Sequence, residues 1–118
     1  IKLNLDGVYL PSFNRDLRHL NYKIKKSFMV LGSAHNIKEI NEKKRQGVDL
    51  IFLAPIFKVK KKNSHLGVIR FNNLSKINKC GFVALGGINK SNINNIKLLN
   101  CYGIASISYI KDKLNKIK

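Results

Sequence analysis

Long apolar runs are absent from this chain, and their absence excludes a transmembrane segment. No stretch reaches the roughly 18 consecutive apolar residues that a membrane-spanning helix needs, and no signal peptide is visible. Cysteine is also scarce, because Cys80 and Cys101 are the only two. Two cysteines make neither a disulfide framework nor a metal signature. We therefore expect a protein of the reducing cytoplasm.

Acidic residues are few, and the charge balance is strongly basic. Six Asp and Glu stand against 23 Lys and Arg, for a formal net charge of +17. Such a charge is typical of nucleic-acid-binding proteins. The arginines that contact phosphates and bases best are scarce, however: they are Arg15, Arg18, Arg45 and Arg70. Lysine, asparagine and isoleucine all have A/T-rich codons, so the composition favours codon bias and a general affinity for anionic ligands over a nucleic-acid partner.

Apolar runs alternate with stretches of helical character along the whole chain. Strands are predicted at residues 3–10, 28–31, 48–54, 82–85 and 103–108. Helices are predicted at residues 15–26, 36–47, 71–77, 92–99 and 111–117, with Asn36 and Glu39 forming a capping box at the second. Continuous apolar strands suit a parallel sheet covered on both faces. Right-handed crossovers then allow either an open doubly wound sheet or a barrel.

The number of strands favours part of a barrel. A (β/α)8 TIM-type barrel has eight strands, and five are predicted here. The chain also opens on Ile1 rather than methionine, directly before a strand. We expect residues 1–118 to form one α/β domain, a partial barrel of about five strands without its first strands. The alternative is a homo-oligomer in which two copies complete each other.

Two neighbouring strand ends carry the pattern of a phosphate-binding site. Gly86 and Gly87 follow the strand at 82–85, and Ser106 and Ser108 lie at the end of the next strand. Glycine lets the backbone approach a ligand, and the N–H groups of the following helical turn supply donors and a positive dipole. We expect valine at position 87 to block phosphate binding by filling the space where the backbone meets the ligand.

A histidine and a lysine add chemistry at the same end of the predicted sheet. His35 lies just past a strand end, where an imidazole can transfer protons near neutral pH. The lysine-rich loop 58–67 leaves the next strand, and its cations would attract a pyrophosphate ester. Lys62 is the lysine we select, whereas His19 and His65 are interpreted as solvated. No Cys–His, Ser–His–Asp or metal-binding cluster is recognisable.

Five segments carry a family resemblance: residues 6–10 (DGVYL), 32–35 (GSAH), 47–57 (GVDLIFLAPIF), 84–88 (ALGGI) and 103–108 (GIASIS). In this order and spacing the chain resembles the thiamine-phosphate synthase and thiazole tautomerase family, over essentially all 118 residues. The match corresponds to strands four to eight of the family's barrel. It implies a Mg²⁺-dependent transferase of thiamine biosynthesis, which joins hydroxymethylpyrimidine pyrophosphate to thiazole phosphate and releases pyrophosphate.

The resemblance also assigns individual residues to two substrate ends. Ser33 matches the family's serine beside the pyrimidine pyrophosphate, and Lys62 matches the lysine that contacts departing pyrophosphate. Gly87 matches the glycine whose amide holds the thiazole phosphate, and Ile107 with Ser108 matches the pair that completes this phosphate site.

Departures from the family pattern concern the metal end and leave alternatives open. The family's Thr-x-Thr is here residues 59–61 (VKK), without hydroxyl groups. The magnesium-binding aspartate is displaced to Asp16, and Asn14 is a poor ligand for a hard cation. His35 matches the proton-transfer position of the tautomerase branch, so a thiazole tautomerase is one alternative. A non-catalytic phosphate-ligand binder is another.

Overall fold

A five-stranded parallel sheet forms the centre of the protein. The computed structural model describes residues 5–21, 26–60, 64–106 and 113–114. The strands are β1 (Gly7–Leu10), β2 (Met29–Ala34), β3 (Leu50–Leu53), β4 (Gly81–Leu85) and β5 (Gly103–Ala105). They lie in the order β1-β2-β3-β4-β5, and each neighbouring pair is parallel. A doubly wound sheet reverses its strand order part-way, whereas a barrel does not. The sequential order therefore confirms the partial barrel.

Two of the four crossovers contain an α-helix. Helix α1 (Ile37–Arg45) connects β2 to β3, and α2 (Gly67–Ile77) connects β3 to β4. Asn36 caps α1 as predicted, since its Oδ1 accepts from the Glu39 N–H at 2.9 Å. Gly47 follows the helix at φ +73°, the conformation expected of a glycine that ends a helix. Helix α2 begins earlier than the predicted residue 71.

The first crossover differs from its prediction. Of the helix predicted at 15–26, the described residues contain only a 3₁₀ turn at Arg18–Asn21. The reason is that the carbonyl oxygens of Asn14 and Asp16 are taken by side chains of α1. Lys43 Nζ lies 2.7 Å from Asn14 O, and Gln46 Nε2 lies 2.9 Å from Asp16 O. These contacts satisfy both carbonyl oxygens without the i+4 hydrogen bonds of a helix.

The other boundaries shift by smaller amounts. β2 continues three residues past its predicted end to Ala34, and the predicted helix 92–99 is a 3₁₀ helix at Ile93–Leu98. β5 ends at Ala105, while the predicted strand continues to 108, beyond the described residues. Of the predicted helix 111–117, the structure describes only the helical residues 113–114.

The hydrophobic core lies between one face of the sheet and the helices. Its buried side chains alternate along the strands, as in Ile51 and Leu53 of β3, and pack with Ile40 of α1 and Phe71 of α2. The opposite face is not covered as predicted, because Tyr9 there is 49% exposed. Among the helices that the structure describes, none is long and apolar enough to cross a membrane.

Candidate functional site

Polar and small residues meet where the parallel strands end. His35 follows β2, Pro55 follows β3, the Gly86–Gly87 pair follows β4 and Ser106 follows β5. Because all five strands run in one direction, these four positions share one edge of the sheet. Active sites of (β/α) barrels lie at this carboxyl-terminal edge. The structure thus brings these strand ends together at one edge, as the parallel sheet predicted from the sequence implies.

The glycine pair is required by the packing of the chain itself. Gly86 and Gly87 have φ values of +102° and +73°. The Phe57 N–H donates to the Gly86 carbonyl at 3.1 Å, which holds the loop after β3 against the turn. A Cβ on Gly87 would come within 2.6 Å of the carbonyl oxygens of Phe57 and Lys58. This loop thus occupies the space above the Gly87 Cα, where the sequence analysis expected a ligand.

Asparagine side chains use most of the N–H groups after the glycine pair. Asn92 Oδ1 accepts from the Asn89 N–H at 2.8 Å, and Asn89 Oδ1 accepts from the Ser91 N–H at 2.9 Å. Asn92 Nδ2 also donates to the Gly87 carbonyl at 2.8 Å. By contrast, the Gly87 N–H donates to no acceptor among the described residues. The predicted set of amide donors is therefore reduced, and the Gly87 N–H is among those that remain without an acceptor in the described part of the chain.

The end of β5 is tied to the same turn. Ser106 Oγ donates to the Ile88 carbonyl at 3.3 Å, so this hydroxyl has a structural partner. The predicted site residues Lys62, Ile107 and Ser108 lie outside the described residues.

His35 is held by a carboxylate that the sequence analysis assigned to helix capping. Glu39 Oε1 accepts from the His35 main-chain N–H at 2.8 Å and lies 2.9 Å from Nδ1. A capping box has a second hydrogen bond, from the Asn36 N–H to the Glu39 carboxylate. This part of the prediction is wrong, because the Glu39 carboxylate contacts His35 instead. The His35 side chain is 34% exposed. Within the described residues, its Nε2 forms no hydrogen bond.

A small pocket lies beside His35. Its volume is about 120 Å³, and its lining residues are His35, Pro55, Ser64, His65, Leu66 and Arg70. His65 was predicted to be solvated; it is exposed, and it also lines this pocket. The loop folds back because the Leu66 N–H donates to the Pro55 carbonyl at 2.8 Å. No sequence pattern in the loop indicates that contact.

Ser33 presents a hydroxyl on the less covered face of the sheet. It is half-buried in β2 and pairs with Phe52 of β3. Among the described residues, no group forms a hydrogen bond with this hydroxyl. Ser33 is therefore available to a ligand at the same edge as His35.

The described residues do not fit a Mg²⁺ site. Arg18 Nε donates to both carboxylate oxygens of Asp16, at 3.0 and 2.8 Å. These hydrogen bonds lower the pKa of Asp16 to about 2. Asn14 Oδ1 is likewise occupied, since it accepts from the Asp16 N–H at 2.8 Å. In the described part of the chain, no three His, Cys, Asp or Glu residues are close enough to hold a metal ion.

A larger cavity lies at the other edge of the sheet. It has a volume of about 520 Å³ and is lined by the amino-terminal ends of β4 and β5, including Cys80 and Cys101. Both cysteines are free, and burial raises the pKa of the Cys101 thiol. This cavity is distant from the converging strand ends, so it is not the candidate site.

Comparison with known proteins gives a consistent family. The family model described as "Thiamine monophosphate synthase" matches residues 1–110. The thiamine-phosphate synthase of Prochlorococcus marinus is 30% identical over 112 residues, 93% of this chain and 32% of that protein. The thiamine-phosphate synthase of Methanococcus maripaludis is 27% identical over 118 residues, 98% of this chain and 56% of that protein.

A solved structure supports the fold. The thiamine phosphate pyrophosphorylase from Pyrococcus furiosus superposes with a TM-score of 0.67 at 22% identity, over 86% of this chain and 48% of that one. The chain spans about half the length of the solved and Methanococcus proteins, and a third of the Prochlorococcus protein.

Proposed function

The chain belongs to the thiamine monophosphate synthase family, and from that membership we propose that it acts as a transferase of thiamine biosynthesis. In the proposed reaction a thiazole phosphate nitrogen attacks the methylene carbon of hydroxymethylpyrimidine pyrophosphate. The new C–N bond forms as the C–O bond breaks, and pyrophosphate leaves with the bonding electrons. The observation that carries this proposal is the convergence of Ser33, His35 and Gly87, all within family-like segments, at one edge of the sheet.

The pyrophosphate end of the site stabilises the leaving group. The Ser33 hydroxyl and His35 Nε2 are the available described groups there, and Lys62 adds a cation. Negative charge grows on pyrophosphate in the transition state, so donors and cations that are already in position lower the barrier. Glu39 acts through His35, because its carboxylate lies 2.9 Å from Nδ1 and fixes the orientation of the ring.

The thiazole end binds a phosphate that does not react. The Gly87 N–H supplies one donor, and Ile107 with Ser108 supplies the others. Such binding fixes the thiazole nitrogen relative to the pyrimidine carbon, which converts an encounter of two molecules into a positioned displacement.

The remaining expectations stay proposals of the same kind. Residues 1–118 form a single partial-barrel domain that acts on small-molecule phosphates in the cytoplasm, as a homo-oligomer or with an amino-terminal half-barrel. Because the described residues do not fit Mg²⁺, no role in holding that ion is assigned to them. The tautomerase and the non-catalytic binder are not favoured, since the relatives above carry the synthase name.

Synthesis is tested with the purified protein and both substrates, by measuring thiamine phosphate as its fluorescent oxidation product. We expect product from the wild-type chain. Ser33→Ala and His35→Asn should each lower kcat/KM about tenfold or more, since each removes a donor to the leaving group. Ser27→Ala, in the exposed turn before β2, is the matched control and should keep wild-type activity.

Two results would contradict this proposal. A wild-type protein that binds both substrates and forms no thiamine phosphate is not a synthase. Equal activity of Ser33→Ala and Ser27→Ala would remove Ser33 from the site.

A further inference from the structure

Two side chains with nitrogen donors, beside His35, lie outside every segment that resembles the family. His65 and Arg70 belong to the loop after β3 and the first turn of α2, and both line the pocket of about 120 Å³. Both side chains are exposed. Within the described part of the chain, neither forms a hydrogen bond or an ion pair.

We propose that His65 and Arg70, together with His35, bind one small oxyanion in this pocket, a phosphate or carboxylate group. The guanidinium of arginine presents parallel N–H donors that match two oxygens of such a group. The imidazoles of His35 and His65 supply further N–H donors. The inference extends the pyrophosphate end of the proposed function, with which it shares His35, and adds His65 and Arg70, to which the family resemblance assigns no role.

The charge around the pocket favours an anion. None of the six lining residues is acidic. Glu39 is the carboxylate that contacts His35, and its Oε1 already accepts from both the main-chain N–H and Nδ1 of that residue. The Glu39 carboxylate is therefore engaged by His35 and is not among the groups that line the pocket.

The volume restricts the ligand to one small group. The pocket has a volume of about 120 Å³. Pockets that enclose drug-sized ligands are typically about 300–1,000 Å³. A single phosphate or carboxylate group therefore matches the pocket better than a whole substrate does.

The pocket is a different place from the Gly87 turn. Pro55 follows β3, the pocket opens on the β2 side of Pro55, and Gly86–Gly87 lie on the β4 side. A phosphate at Gly87 and an oxyanion at Arg70 are therefore separated by the loop after β3. The structure accordingly offers two anion sites along one edge.

The test uses the three histidines of the full chain as probes. Inorganic phosphate and, separately, acetate are titrated at constant pH and ionic strength while the imidazole signals are followed by NMR. We expect saturable shifts of His35 and His65, and none of His19, whose Nε2 contacts the Gln46 carbonyl beyond α1. Shifts with phosphate alone, acetate alone or both assign the class of oxyanion. No shift of His65 with either anion would overturn the proposal.

Charge-removing variants separate a built pocket from the general +17 charge. Arg70→Gln and His65→Gln should each weaken binding about tenfold, through loss of a charge-assisted hydrogen bond. Arg45→Gln is the matched control, because Arg45 is exposed on α1 and does not line the pocket. Equal weakening by Arg45→Gln would overturn the proposal in favour of a diffuse charge effect.

This experiment is independent of synthase activity. Anion binding is read from ring signals without turnover, so a chain that forms no thiamine phosphate still tests the pocket. Conversely, an active synthase whose His65 signal ignores both anions keeps the proposed reaction and loses this inference.

Discussion

At the scale of single residues, two glycines with nearly equal φ angles have different surroundings. Gly87 has φ +73° and Gly67 has φ +74°. A Cβ at Gly87 would meet the carbonyl oxygens of Phe57 and Lys58 at 2.6 Å, whereas a Cβ at Gly67 would meet no atom within 4 Å. A valine at position 87 would therefore disrupt the loop after β3 and cannot report on ligand binding alone. The structure replaces that test with a stability comparison.

We expect Gly87→Ala to lower the free energy of unfolding by about 2–5 kcal/mol. About 1–2 kcal/mol comes from the left-handed backbone and about 1–3 kcal/mol from the close contact. Gly67→Ala, the matched control, should cost only the backbone part. Urea denaturation of the three proteins measures the difference. Equal losses for the two variants would show that the contact with residues 57 and 58 carries no energy.

At the scale of elements, α1 determines the course of the first crossover. Lys43 is fully buried, and its Nζ donates to Asn14 O and to Gln46 Oε1, both at 2.7 Å. A side chain of α1 thus donates to a main-chain carbonyl that would accept from the i+4 N–H if residues 15–26 were helical. Burial lowers the pKa of Lys43 below its ordinary value of 10.5. The connection between β1 and β2 therefore depends on a buried, titratable side chain.

Stability should change with alkaline pH through Lys43. Between its lowered pKa and 10.5, the unfolded chain holds a proton on Lys43 that the folded chain has released. The free energy of unfolding therefore rises with pH across that window, by at most about 1.4 kcal/mol per pH unit. Lys43→Met removes this contribution, so its stability should rise less steeply than that of the wild type.

Urea denaturation at a series of alkaline pH values measures both slopes. Lys38→Met, which removes an exposed lysine of the same helix, serves as the control and should follow the wild type. If Lys43→Met and the wild type have the same slope, Lys43 does not titrate differently on folding.

At the scale of the whole molecule, the five strands differ in how much of their surroundings the described chain supplies. β2, β3 and β4 each pair on both sides, whereas β1 and β5 each pair on one side among the described strands. Ile51 and Leu53 of β3 are fully buried, but Val8 and Tyr9 of β1 are 38% and 49% exposed. Local stability should therefore fall from the centre of the sheet to β1.

Amide hydrogen exchange measures this gradient. We expect protection factors in β1 at least about tenfold lower than those in β3, because edge amides open by local fraying. Protection of β1 as strong as that of β3 would contradict this expectation and would show that a further strand, from a second copy or another segment, pairs with that edge.

Much of the site could be predicted from residue types at strand ends. Gly87 and His35 were identified because strands of one direction bring their carboxyl ends together, and apolar runs mark where strands lie, whereas Ser33 was assigned through the family resemblance. Glu39 and His65 were assigned other roles for a physical reason. Glu39 at the third helical position is typical of a capping box, and nothing along the chain shows that His35 offers it two donors instead.

The sequence by itself determined the alternation of strands and helices, the parallel sheet and the edge at which Ser33, His35 and Gly87 meet, because these follow from local patterns of apolar and small residues. Tertiary structure alone decided that Arg70 and His65 join His35 in one pocket. It also decided that Gly87 packs against residues 57 and 58, and that Lys43 donates a hydrogen bond to the first crossover. Each of these depends on a contact between segments distant in sequence, which no local pattern encodes.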